Sequence, residues 1–189
     1  MHEIRFHGRG GQGTVVASIL LAKAFFKTGY FVQTFPLFGV ERRGAPVEAY
    51  LRLDNEKILV RSNIYTPDHV IVQDIKLLDS VDVTKGLKPG GSILMNSSDL
   101  PDHIEPFFGF RLAFVNADRI AAENGLGTRT QPIINTAMIG AFAKVLGMPP
   151  LDKLTSAIKN EIHIKADQNI LAARQAYEKV TIYGMVERH

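Results

Sequence analysis

The sequence predicts an α/β fold: a Rossmann-like, mostly parallel, doubly wound sheet with a β-hairpin and a helical C-terminal third, in one domain over residues 1–189. Three observations carry this reading. A glycine-rich turn, Gly8 to Gly13, separates a short alternating apolar segment from a long apolar-periodic one. Strand-like runs then alternate with helical or turn-like segments as far as Gly125. Beyond Pro132, apolar residues recur at helical spacing to the final helix.

Ile4 and Phe6 alternate with Arg5 and His7, which gives a first strand running into the turn. From Thr14 to Lys27, Val15, Ile19, Ala22 and Phe26 recur at three and four residues, and Leu20 and Ala24 widen the stripe into a mostly buried helix. Gly29 is a C-terminal stop, and Tyr30 to Phe35 reads as a second strand. Strand, turn, helix and strand imply a βαβ unit with parallel pairing and a right-handed crossover. Pro36 to Pro46 is a loop containing Glu41, Arg42, Arg43 and Gly44. Val47, Ala49, Leu51 and Leu53 alternate with polar neighbours, so one face of this strand is expected to be wet, with Lys57 to Arg61 returning as its hairpin partner.

The segment His69-Val70-Ile71-Val72-Gln73-Asp74, introduced by Pro67-Asp68, reads as a continuous apolar run suited to a central strand. Asp74, at its C-terminal end, is placed to contact a ligand or to cap the turn Ile75 to Leu78, with the cap as the expectation. Strands are expected at Ser92 to Met95 and Arg111 to Val115, and a helix over Arg119 to Glu123. Pro132 suits an early helix position ahead of the face formed by Ile134, Ala137, Met138, Ala141, Phe142 and Val145, which stops at Gly147. Gly140 costs about 1 kcal/mol relative to alanine inside that helix, so close packing against another element is expected there. Leu151, Leu154 and Ile158 mark another helix; Ile170, Ala173, Tyr177 and Val180 mark the last.

Composition narrows the function classes. A net charge of +3 without a basic run gives no footprint for nucleic acid. The chain has no cysteine, so it forms no disulfide and ligates no iron-sulfur cluster. The N-terminal residues lack the charged and then apolar regions of a signal peptide, and no apolar run approaches the roughly 18 residues of a membrane span. A cytoplasmic protein without membrane contact is expected. His163 and Lys165 have no second ligand at metal spacing.

Chemistry concentrates at Gly8, Arg9, Gly10, Gly11, Gln12 and Gly13. Glycines allow the backbone to approach a guest closely, and the unpaired NH groups opening a helix favour an anion, such as a phosphate or a partner's carboxylate. Gly8-x-Gly10-x-x-Gly13 also fits the dinucleotide fingerprint, yet Gln33 and Thr34 stand where an acidic ribose ligand belongs. A ligand-free strand-to-helix connection fits the same residues. Arg42 and Arg43, each with up to five donors, are either solvated beside Glu41 or share the anion site. Asn135 is a polar contact of the early helical turn or faces the site.

The run His7 to Gly13, the segment Glu41-Arg42-Arg43-Gly44-Ala45-Pro46-Val47, Arg61-Ser62, Pro67-Asp68 and Asp74 together resemble the gamma subunit of 2-oxoacid:ferredoxin oxidoreductases, of which the pyruvate and 2-oxoisovalerate enzymes are members. The resemblance continues through Leu87 to Gly91, Asn96, the Asn135 to Ala143 helix and the terminal helices. It implies a subunit, inactive alone, of an enzyme that oxidatively decarboxylates a 2-oxoacid with coenzyme A to acyl-CoA and carbon dioxide, passing electrons to ferredoxin. It further implies alpha, beta and ferredoxin-like delta partners, with thiamine diphosphate, Mg2+ and iron-sulfur clusters carried by or with them. Within this chain it leaves the glycine turn with Arg42, Arg43 and Gly44 as contacts for coenzyme A phosphates or for a partner. Two other readings fit the residues: a free-standing nucleotide-dependent oxidoreductase and an anion-binding scaffold module.

Overall fold

The computed structural model describes residues 1–37 and 44–187. Seven strands form one sheet: β1 (His2–Arg9), β2 (Phe31–Leu37), β3 (Pro46–Asp54), β4 (His69–Val72), β5 (Ser92–Asn96), β6 (Arg111–Val115) and β7 (Thr181–Met185), in the order β2-β3-β1-β4-β5-β6-β7. β1, β4, β5 and β6 pair in parallel; β3 is antiparallel to both β1 and β2, and β7 is antiparallel to β6. Five strands therefore run one way and two the other, a mostly parallel α/β sheet. The helices are α1 (Thr14–Phe26), α2 (Ala117–Glu123), α3 (Asn135–Leu146), α4 (Leu151–Glu161) and α5 (Ala166–Lys179).

Alternation along the strands separates two cores. Ile4, Phe6, Leu51, Ile71, Leu94 and Val115 face the helices, and all five helices contribute residues to that cluster. Val70, Val72, Ile93, Met95 and Leu112 face the other way, where no α-helix joins them among the described residues. Gly140 lets α3 and α5 approach closely: a Cβ there would lie 2.1 Å from the Ala173 carbonyl oxygen. The close packing expected at this glycine is thus present. Gly147, in the left-handed region at φ 75°, ends α3 as expected.

Several expectations need correction. β1 and β2 are parallel in direction but not adjacent, because β3 is inserted between them. The hairpin partner of β3 is β2 rather than Lys57 to Arg61, which form no strand. The supposedly wet face of β3 is covered: Tyr50 and Arg52 are buried because the segment after β3 folds back over them, and Arg52 Nη2 donates to the Asn63 carbonyl at 3.1 Å. In α1 the buried set is rotated toward Ala17, Leu21 and Phe25, leaving Val16, Ile19 and Phe26 exposed. Pro132 lies in a bridge with Gly127 ahead of α3, not in the helix. The helical last third ends in β7, whose start at Thr181 abuts Val180, counted from sequence as the last residue of the helical stripe. Arg42 and Arg43 lie outside the described residues.

Candidate functional site

The chain leaves β1 through α1 toward β2 on one side, and leaves β4 toward β5 on the other. Side by side and parallel, β1 and β4 thus mark the point where strand order diverges, and open α/β sheets bind ligands beyond the carboxyl ends of such a pair. The glycine turn follows β1 at that place, and Gln73 and Asp74 follow β4.

Gly8, Gly11 and Gly13 each have a structural reason to be glycine. A Cβ on Gly8 would meet Thr14 Oγ1 at 2.1 Å and Gln73 Oε1 at 2.6 Å, so any side chain there would displace the Thr14–Gln73 hydrogen bond. Gly11 and Gly13 adopt φ of 97° and 74°, which disfavours a side chain at either position. Gly13 is the N-cap of α1, with no side-chain cap and no acidic residue in the first turn. The opening NH groups of α1 therefore lack the usual side-chain acceptor. Gln12 closes the turn locally, its Oε1 accepting from the Arg9 NH at 2.7 Å.

Two further segments meet the turn. The Gly10 NH donates to the Ala45 carbonyl at 2.9 Å, and the Gly44 NH donates to the Gly10 carbonyl at 3.2 Å, so the end of the β2–β3 connection lies against the glycine run. Asn135 opens α3 beside it: a Cβ on Gly13 would sit 2.8 Å from Asn135 Nδ2. The Asn135 Oδ1 accepts from the Thr136 NH at 2.8 Å, so this side chain is both an early-turn contact and a neighbour of the site.

Arg9 Nε donates to Asp74 Oδ2 at 2.6 Å, and its Nη1 donates to the Gly44 carbonyl at 3.2 Å. Asp74 also accepts from the Lys76 NH at 3.0 Å, which makes it the cap of the 3-10 turn Ile75–Asp79, as expected. The structure thus brings Gly8 to Gly13 together with Gly44. Gln73 has no role at the site in the reading from sequence, and Asn96 enters it only through the family resemblance. Gln73 Oε1 accepts from Thr14 Oγ1 at 2.6 Å, and Asn96 Nδ2 donates to the Gln73 carbonyl at 3.1 Å. Amides directly after apolar central strands were the available signal.

Beneath the turn lies a buried polar layer made by odd residues of β1 and even residues of β3. Arg52 Nε pairs with Glu3 at 2.7 Å, and its Nη1 donates to Gln33 Oε1 at 3.0 Å. Arg5 Nε donates to His7 Nε2 at 3.0 Å, while Arg5 Nη2 donates to the carbonyls of Val83 and Lys85. His7 Nδ1 lies 3.5 Å from Glu48, and the Tyr50 hydroxyl donates to Glu48 Oε2 at 2.6 Å. Burial, aided by the Arg5 charge, lowers the His7 pKa to about 3. His7 is therefore neutral, with Nε2 accepting and Nδ1–H turned toward Glu48. Burial also pushes the Tyr50 hydroxyl well above its ordinary value, reinforced by the bond to Glu48. The cross-strand pairing of Glu3 with Arg52 and of His7 with Glu48 follows from the register, which the sequence does not show.

No group of three metal-ligating His, Asp or Glu side chains occurs among the described residues, and no helix there is long and apolar enough to cross a membrane.

A family model described as pyruvate ferredoxin/flavodoxin oxidoreductase matches residues 3–179. The chain is 46% identical over 192 residues to the pyruvate/ketoisovalerate oxidoreductases common subunit gamma of Thermococcus litoralis, covering 98% of this chain and 100% of the relative. It is 48% identical over 186 residues to pyruvate synthase subunit PorC of Methanocaldococcus jannaschii, covering 97% and 100%. Among solved structures, pyruvate oxidoreductase subunit PORC of Thermotoga maritima superposes with a TM-score of 0.82 at 34% identity, over 96% of this chain and 98% of that one.

Proposed function

The chain belongs to the pyruvate ferredoxin/flavodoxin oxidoreductase family as a gamma-type subunit of a multi-subunit 2-oxoacid oxidoreductase, and from that premise we propose that its glycine turn binds the phosphates of coenzyme A. The observation that supports this reading is the meeting of uncapped α1, Arg9, Gly44 and Asn135 at the divergence of β1 and β4. Backbone NH groups at a helix start and a nearby guanidinium suit phosphate oxygens. Arg42 and Arg43 directly precede Gly44 and would add charge to the same corner.

Thiamine diphosphate, Mg2+ and the iron-sulfur clusters belong to the partners in this proposal. This chain has no cysteine for a cluster and no Gly-Asp-Gly thiamine signature. The partners are alpha, beta and ferredoxin-like delta subunits, assembled in the cytoplasm, and this chain alone is inactive. Its own contribution is to bind and orient the acyl acceptor.

A second reading draws on the same uncapped NH groups of α1: a partner's acidic side chain is an alternative guest. The two readings separate in the reconstituted complex. Replacing Arg42 and Arg43 together by alanine should raise KM for coenzyme A by about tenfold or more, since each charge-assisted bond is worth about 1.5–3 kcal/mol. Thiamine-dependent decarboxylation should persist. Unchanged coenzyme A kinetics in a fully assembled complex would refute the ligand reading and leave the docking one.

A further inference from the structure

Sheets built around parallel strands are normally covered on both faces. Here every α-helix packs on one face, and the other carries only irregular segments and 3-10 turns among the described residues. That thin face is also open. A cavity of about 730 Å3 lies between the segment after β4 and the segment after β5, with Leu78, Val81, Leu100 and Phe107 among its apolar lining. Lys76, Asp79, Asp82 and Asp102 add charge to the lining, so carboxylates outnumber the single ammonium by three to one. Asp82 is engaged by Thr84, whereas Asp79 and Asp102 bond to no described residue. The segment following β3 crosses the same face, tied by Arg52 to the Asn63 carbonyl, and exposes Leu59 at 77% and Tyr65 at 71%.

We propose that this helix-free face is where a partner subunit of the oxidoreductase docks, seating an apolar protrusion flanked by lysine or arginine in the aspartate-rimmed cavity. The proposal rests on the gamma-subunit reading and names its surface. Charge complementarity selects the partner: the rim attracts a basic flank and disfavours an acidic one. The patch around exposed Phe26 on α1 is a weaker candidate for that flank in a second copy, because the Lys23 charge there is offset by Glu161.

The test compares hydrogen exchange in the free chain and in the co-purified native complex. Amides in residues 75–84 and 97–107 should slow by about tenfold or more on assembly, while α4 changes little. Asp79→Lys with Asp102→Lys, both at exposed positions, should keep the melting temperature of the free chain and lower incorporation by about tenfold or more in competition with the unaltered chain. Unchanged exchange in the two segments of an assembled complex overturns the proposal and leaves the gamma-subunit reading intact. So does equal incorporation, or protection of these segments by self-association of the free chain. Recovery of the native chain without larger subunits would refute the gamma-subunit reading itself.

Discussion

His7 links the polar layer under the glycine turn to a measurable acid sensitivity. Its ring is 3% exposed, accepts from Arg5 and is held at a pKa of about 3 by burial and by the Arg5 charge. The unfolded chain returns it to its ordinary value near 6.5. Protonation therefore favours the unfolded state: the contribution is fully present above pH 6.5 and is lost as pH falls toward 3. Between pH 6.5 and 5 the unfolded chain takes up one proton that the folded chain refuses, at about 1.36 kcal/mol per pH unit, so His7 removes about 2 kcal/mol. His69, lowered to about 4 mainly by burial, acts in the same direction. Urea unfolding at pH 7.5 and pH 5 measures the loss directly. His7→Gln keeps an acceptor for Arg5 and a donor toward Glu48 but does not titrate, so its loss between the two pH values should be smaller by about 2 kcal/mol. An equal loss in the two proteins would refute the assignment of a neutral, buried His7.

Arg52→Ala strands the Glu3 carboxylate and the Asn63 carbonyl in a buried layer and should cost about 3–5 kcal/mol by urea unfolding. Adding Glu3→Gln and placing methionine at Arg52 should recover most of that loss, because the isolated buried charge is then gone. Gly140→Ala gains helix propensity but forces a methyl group toward the Ala173 carbonyl, so a net loss of about 1–3 kcal/mol and a lower melting temperature are expected.

Much of this fold is legible because its strands have local signatures. Arg111–Val115 coincides with its apolar run, β4 takes the first four residues of the run His69 to Asp74, and Gly29 and Gly147 stop helices where expected. What escaped depends on nonlocal pairing. Lys57 to Arg61 has strand-like composition but stays unpaired because β2 occupies the outer edge of β3 and β1 the inner one. The polar alternation of β3 reads as a wet face, yet Glu3 and Gln33, brought to Arg52 from two other strands, make burial of that arginine tolerable. β7 is concealed because Val180 continues the helical spacing into a short edge strand. At the site, the glycine turn and the Asp74 cap follow from spacing, whereas Gln73 becomes a neighbour of Gly8 only through the β1–β4 pairing.

The inserted strand also counts against the dinucleotide fingerprint. In a dinucleotide site the second strand lies next to the first, and an acidic residue at its end reaches the ribose. Here β3 occupies that position, so β2 stands two strand spacings from β1, roughly 10 Å at the usual separation. Gln33 is committed to Arg52, and Thr34 to Ser18 and the Tyr50 carbonyl, so neither is available to a ribose. The antiparallel return that removes the ribose ligand brings something else: it delivers Gly44 and Ala45 to the backbone of Gly10 and to Arg9. The corner is therefore built by two loops and two helix starts rather than by one βαβ unit. That construction favours a phosphate or carboxylate presented from outside the chain over a nucleotide laid along the sheet edge, which is the arrangement a subunit would use for a ligand shared with its partners.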